Sequence, residues 1–175
     1  MIGNYTQTLW GSVHAKKLYN GITEAICPFI AVPVVLLMEK VEVDWKKWGE
    51  LFLCLMSLID GAFLIIMSQT GSIYVMYVCY IFYRVIYQAM ITVAQFNLAS
   101  RLRTSSFGLV FGLNTFVALV MQSILTAVVA DEHGLALAIR PQFVVYSCFH
   151  GVIALIFSGP IFWRVIKWIR GFSKK

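Results

Sequence analysis

Charged side chains are scarce in this sequence, in which Asp, Glu, Lys and Arg make up 13% of 175 residues. Soluble domains carry about 25% charged and about 45–50% apolar residues. Here 60% of the residues are hydrophobic, and the mean hydropathy is +0.81. A water-soluble core of this size has no room for that much apolar surface. The composition therefore excludes an ordinary soluble domain and predicts an integral membrane protein.

The short motifs of common enzymes are also absent from the sequence. There is no GxSxG, HExxH or Walker A segment. The four cysteines show neither CxxC spacing nor histidines at zinc-site intervals. We therefore expect that the protein is not an enzyme and that it has neither a cofactor nor a metal site. A membrane-bound enzyme built on Glu24, Asp60 and His150 is kept as an alternative.

Five long apolar segments are present instead. A helix rises about 1.5 Å per residue, so about 20 apolar residues cross a hydrocarbon core of about 30 Å. Residues 107–130 form the clearest segment, with 24 residues and no formal charge. The predicted spans are residues 19–38, 51–67, 73–98, 107–130 and 141–169. The sequence thus predicts an all-α membrane protein with five transmembrane helices and no separate soluble domain.

Two features of the N-terminal half add detail to this prediction. Pro28 and Pro33 lack a backbone donor and should kink the first span. The polar segment 39–50 surrounds Trp45 and Trp48, a composition that predicts a short turn or helix on the membrane surface.

The basic residues predict how the chain is oriented. With a cytoplasmic C-terminus, ten Lys and Arg residues lie on the cytoplasmic side, and three, Lys16, Lys17 and Arg140, lie on the other. Cytoplasmic loops carry such an excess, so we expect this orientation. Because the basic residues flank apolar spans, we expect no nucleic-acid partner. Five spans then place the N-terminus outside without a signal sequence, which indicates an incomplete chain.

Polar side chains inside the spans are the first functional candidates, because they are costly in hydrocarbon. Arg84 lies near the middle of the third span, on a stripe with helical spacing. The stripe consists of Tyr80, Arg84, Tyr87, Gln88, Ile91 and Gln95. A guanidinium keeps its charge, so it needs an acidic partner, a watery cavity or an anionic ligand. A role in substrate binding or gating is expected, with a structural pair between helices as the alternative.

Three other polar side chains inside the spans are further candidates. Glu24 and Asp60 are the acidic candidates for charge pairing with Arg84 or for proton coupling, because an unpaired carboxyl group in low dielectric favours its neutral form. Gln122 either lines a cavity or hydrogen-bonds a neighbouring helix.

Six segments together resemble the folate and thiamine carriers of the major facilitator superfamily. They are residues 4–10 (NYTQTLW), 19–25 (YNGITEA), 48–51 (WGEL), 83–87 (YRVIY), 91–96 (ITVAQF) and 109–116 (LVFGLNTF). The segments occur in the family's order and cover nearly the whole chain, yet only the C-terminal part of a typical member. The resemblance implies that residues 1–11 are the end of helix seven, 19–170 are the other five helices of the C-terminal bundle, and 171–175 are a basic cytoplasmic tail.

The resemblance also implies a function and a set of contacts. Members transport a water-soluble vitamin by alternating access, with the binding site between two bundles. The implied partners are the vitamin, the lipid bilayer, here of the plasma membrane, and the missing N-terminal bundle. The implied substrate-binding residues are Asn4, Tyr5, Arg84, Tyr87, Gln88 and Gln122.

Two positions bear on the choice of vitamin. Gln122 stands where folate carriers resemble one another in having Lys and thiamine carriers in having Gln, which favours thiamine. Gln88 after Tyr87 resembles the folate branch, so reduced folate comes next. Asp60 departs from the uncharged residue that is usual at its position. A non-transporting scaffold that associates through the GxxxG of Gly108 and Gly112 is the alternative.

Overall fold

Six α-helices make up the part of the chain that the structure, a computed structural model, describes. This part covers residues 2–13, 19–40, 43–102, 107–130 and 135–172. The helices are α1 (Ile2–Val13), α2 (Asn20–Lys40), α3 (Trp45–Gln69), α4 (Ile73–Ala99), α5 (Phe107–Val129) and α6 (Ile139–Phe172). Helices α2 to α6 each contain a stretch long and apolar enough to cross a membrane. This confirms the predicted all-α membrane fold with five spans and a short N-terminal helix.

The helix ends differ from the predicted ones where polar residues extend a helix beyond its apolar stretch. The surface element predicted at residues 39–50 is wrong in its described part, because α2 continues to Lys40 and α3 already begins at Trp45. Asp44 accepts a hydrogen bond from the Lys46 amide at 3.2 Å and caps α3. Pro28 and Pro33 lie inside the continuous α2 and do not end it. Residues 173–175 of the predicted tail lie outside the described part.

Helices α3 and α6 run antiparallel and are joined by side-chain hydrogen bonds to backbone carbonyls. Ser68 donates to the Arg140 carbonyl at 3.0 Å, and Ser147 donates to the Gly61 carbonyl at 2.8 Å. Ser57 donates to the His150 carbonyl at 2.9 Å. Toward the other end Arg164 donates to the Lys47 carbonyl and pairs with Glu50. Because lipid offers no hydrophobic drive between helices, such bonds and small residues hold spans together.

The remaining helices attach to this pair in different ways. Helix α4 packs against α3, and α2 packs against α4. Helix α1 contacts α4 and α6, and its Trp10 is fully buried. Helix α5 is exposed along most of its length and joins the core near its C-terminal end, at Val129. The most firmly packed part of the described chain is therefore the α3, α4 and α6 group.

Replacing Gly61 by valine should destabilise the contact between α3 and α6. A Cβ atom at Gly61 would lie 3.3 Å from the Ser147 hydroxyl oxygen and 3.6 Å from the His150 Cβ. We expect a loss of about 1–3 kcal/mol, the usual cost of an overpacked core. The measurement is the midpoint of thermal unfolding of the purified protein in detergent.

Gly151→Val is the matched control, because an added Cβ at Gly151 meets nothing within 4 Å. Equal destabilisation by both substitutions would contradict the close contact at Gly61.

Candidate functional site

Two tyrosines on α4 position the start of α2. The Tyr80 hydroxyl donates a hydrogen bond of 2.6 Å to the Glu24 carboxylate. One turn earlier, the Tyr77 hydroxyl donates to the Asn20 side-chain oxygen at 3.2 Å and accepts from the Tyr19 amide at 3.1 Å. These bonds hold the polar N-terminal half of α2 against α4.

The rings of the same two tyrosines also pack against α1. Trp10 packs edge-on against Tyr77 and Tyr80, with ring centroids 4.7 and 5.2 Å apart. Such T-shaped contacts add about 0.5–1.5 kcal/mol each to the burial of the rings. Tyr80 therefore touches α1 with its ring and α2 with its hydroxyl, which fixes both helices around one point.

Two neighbouring cavities are both lined by the Glu24 and Arg84 side chains. One, of about 340 Å³, lies between α2 and α4, and the other, of about 480 Å³, extends toward α1. The first is lined by Glu24, Cys27, Pro28, Ala31, Val32, Val35, Leu36, Arg84, Tyr87 and Gln88. The second is lined by Gly3, Gln7, Glu24, Tyr80 and Arg84. Both volumes are in the range of small-molecule sites, about 300–1,000 Å³, and we call the two cavities together the α2–α4 pocket.

Arg84 faces the α2–α4 pocket rather than the packed core. Its side chain is exposed, and it lies close enough to Cys27 and Tyr80 to interact with both. Glu24 borders both cavities beside it. A charged side chain in a span belongs in a water-filled cavity or beside a partner, and the pocket meets this need. Of the two expected acidic partners, Glu24 is the one that shares the pocket with Arg84.

Four other predicted residues lie at different places in the structure. Tyr87 and Gln88 line the pocket one turn beyond Arg84. Tyr5 instead lies against Tyr146 of α6, with ring centroids 6.5 Å apart. Gln122 is half-buried on α5 and is absent from the lining of the α2–α4 pocket. Its role in binding stays a prediction.

Two further predicted residues do not join the pocket in the described part of the structure. Asn4 is in α1, but its side chain lies outside the described part. Asp60 is fully buried on α3, and its carboxylate has no hydrogen-bond partner or ion pair among the described residues. The predicted pairing of Asp60 with Arg84 is therefore not formed.

The pocket also contains residues that the sequence interpretation missed. Gly3 and Gln7 of α1 line the cavity toward α1, and Cys27 of α2 lines the other. An added Cβ at Gly3 would meet the Tyr80 hydroxyl oxygen at 3.3 Å, so the small residue lets α1 approach that hydroxyl. Gln7 lies within the segment 4–10 that carried the resemblance, which was a usable signal. Cys27 gave no such signal, because a thiol in an apolar span usually only packs against its neighbours.

Five apolar spans, together with a pocket lined by α1, α2 and α4 and bordered by two charged side chains, define a polytopic membrane protein with a polar site within its spans. The chain matches the family model of the reduced folate carrier over residues 1–145 and belongs to that family. Folate-like transporter 2 of Caenorhabditis elegans is 52% identical over 90% of this chain and 37% of its own length. Human thiamine transporter 1 is 40% identical over 90% of this chain and 33% of its own length. The chain thus spans about a third of these curated relatives, which are transporters and not enzymes.

Removing the Tyr80 hydroxyl should uncouple α2 from α4. A hydrogen bond to a charged group contributes about 1.5–3 kcal/mol, and the Glu24 partner is half-buried. We expect Tyr80→Phe and Glu24→Ala, each of which removes one partner of the bond, to show a coupling energy of about 1 kcal/mol or more in a double-mutant cycle. The measurement is unfolding of the purified protein in mixed detergent micelles.

Tyr74→Phe is the matched control, because Tyr74 is on the same helix and is 73% exposed. A Tyr80–Glu24 coupling no larger than the Tyr74–Glu24 coupling would show that the bond does not hold the helices together.

Proposed function

We propose that this chain forms the C-terminal wall of a carrier for a water-soluble vitamin. In this proposal α1 is the end of helix seven, α2 to α6 are helices eight to twelve, and an N-terminal bundle supplies the opposite wall. The complete carrier works by alternating access, in which two bundles rock around a site near the middle of the membrane. Family membership and the names of the relatives support this role.

The observation on which the proposal depends is that Glu24 and Arg84 line the same pocket within the apolar spans. Both side chains border both cavities. Ionisable groups at this depth are expensive and mark substrate or ion pathways. Tyr87 and Gln88 line the same cavity as these two charged side chains, so the pocket offers a flat apolar contact and hydrogen-bonding groups together.

Thiamine is the proposed substrate, and reduced folate is the alternative. Thiamine carries one positive charge, which the Glu24 carboxylate can pair with, while Arg84 can donate to the nitrogen acceptors of the pyrimidine ring. A folate with two carboxylates would meet Glu24 as a repelling group. Arg84 is also the single basic residue among the described residues that line the pocket. Gln122 in place of a lysine points the same way, since specificity depends on repulsion as well as attraction.

The proposal also includes the membrane in which the chain lies and its orientation there. Five apolar spans place the chain within a bilayer, and the proposed uptake of a vitamin from outside the cell favours the plasma membrane. The Lys and Arg excess supports a cytoplasmic C-terminus. The exposed apolar surface of α5 is then available to the N-terminal bundle and to lipid.

Arg84→Leu should abolish most vitamin uptake by the complete carrier while its surface expression is retained. A hydrogen bond from a charged group contributes about 1.5–3 kcal/mol, so uptake should fall at least about tenfold. The measurement is competition uptake of radiolabelled thiamine against unlabelled thiamine and a reduced folate.

Arg101→Leu is the control, because Arg101 is an exposed arginine beyond the C-terminal end of α4. Unchanged uptake by Arg84→Leu would remove Arg84 from the site. A carrier that takes up neither vitamin would refute the proposed function.

Gln122→Lys should depress thiamine uptake more than folate uptake. An added cation repels a cationic vitamin and attracts a dicarboxylate, so the ratio of the two uptake rates should change by several-fold. The two rates are measured side by side at matched surface expression. Gln122→Met, which keeps the length of the side chain without the charge, is the control. Equal losses of both uptakes would indicate that Gln122 only packs.

A further inference from the structure

Asp60 is the one fully buried carboxyl group in the described part of the chain, and it has no role in the α2–α4 pocket. Its side chain is 0% exposed, and neither carboxylate oxygen has a hydrogen-bond partner among the described residues. An unpaired carboxylate removed from water costs several kcal/mol. A neutral carboxyl group in the same place costs far less, because it carries no net charge.

The groups that surround Asp60 do not compensate a negative charge. Helix α3 packs against α4 and α6. Tyr83 of α4 interacts with Asp60, and His150 of α6 lies against Gly61, the next residue of α3. The His150 ring lies edge-on to the Tyr83 ring, with centroids 5.8 Å apart, and is itself buried. The hydroxyls of Ser57 and Ser147 donate to backbone carbonyls and are not turned to Asp60 as donors. The described surroundings therefore accommodate the protonated form and disfavour the ionised one.

Asp60 is also connected to the pocket. It lies close enough to Tyr83 to interact with it electrostatically. The Tyr83 ring stacks on the Tyr87 ring, with centroids 6.0 Å apart and planes at 16°, and Tyr87 lines the pocket. Only two aromatic rings separate the buried carboxyl group from the site where the vitamin is proposed to bind.

We infer that Asp60 is a proton-binding site of the carrier, filled while α3, α4 and α6 are packed together and emptied when water reaches it. This inference rests on the proposed transport function. Ionisation requires water, and water can enter only if the packing around Tyr83 opens. A rearrangement that moves Tyr87 in the pocket would move Tyr83 with it, so vitamin binding and proton release would be coupled.

The test compares vitamin uptake by the complete carrier at different external pH values. Because vitamin binding is coupled to release of the Asp60 proton, wild-type uptake should rise as external pH rises, by up to about tenfold per pH unit for one proton. Asp60→Asn keeps the shape of the neutral carboxyl group and should make uptake nearly independent of pH. Asp44→Asn is the matched control, because Asp44 is exposed outside the spans and Asn caps a helix equally well. It should keep the wild-type pH profile.

A wild-type pH profile in Asp60→Asn would overturn the inference, as would wild-type uptake that does not respond to pH. A second measurement uses the wild-type carrier without any substitution. Dicyclohexylcarbodiimide enters bilayers and reacts with protonated carboxyl groups, so mass spectrometry should find Asp60 modified, with less modification at higher pH. Absence of this modification at every pH would also overturn the inference. Failure of the proposed function is distinguishable, because a carrier without vitamin uptake can still be labelled at Asp60.

Discussion

The hydrogen bond from the Tyr80 hydroxyl to the Glu24 carboxylate is the interaction that makes a pocket out of separate helices. Helix α2 packs mainly on α4 and is mostly exposed, so few apolar contacts hold it in place. In a medium of low dielectric, a hydrogen bond to a carboxylate is stronger than it is in water. Because Arg84 lies one turn beyond Tyr80, the bond that positions α2 also places Glu24 beside Arg84.

The bundle combines one firmly joined pair of helices with others that have fewer contacts. Side-chain hydrogen bonds to carbonyls join α3 to α6 from Ser68 at one end to Lys47 at the other. The pocket lies on the opposite side of α4, against α2. Segments with few buried contacts open more readily than well-packed ones. A carrier needs both firmly packed and loosely packed helices, since one group of helices must stay intact while the walls of the site rearrange.

Much of the fold was predictable from the sequence, because the bilayer imposes length and apolarity on each span. The exact ends of the helices were not predictable, because polar residues that follow a cap such as Asp44 extend a helix beyond its apolar stretch. The helical stripe predicted that Arg84, Tyr87 and Gln88 share a face, and the structure places all three at the pocket. Periodicity within one helix could not predict that Glu24 rather than Asp60 faces Arg84. That choice depends on how α2 and α3 turn against α4.

Protection of a cysteine introduced at Gln88 tests most directly whether the vitamin occupies the α2–α4 pocket. In the complete carrier without native cysteines, a water-soluble thiol reagent should label Gln88→Cys, and thiamine should slow that labelling. Val78→Cys on the same helix, where the side chain is exposed but does not line the pocket, should stay unlabelled in the bilayer. Labelling of Gln88→Cys that neither thiamine nor a reduced folate slows would contradict a vitamin site in this pocket.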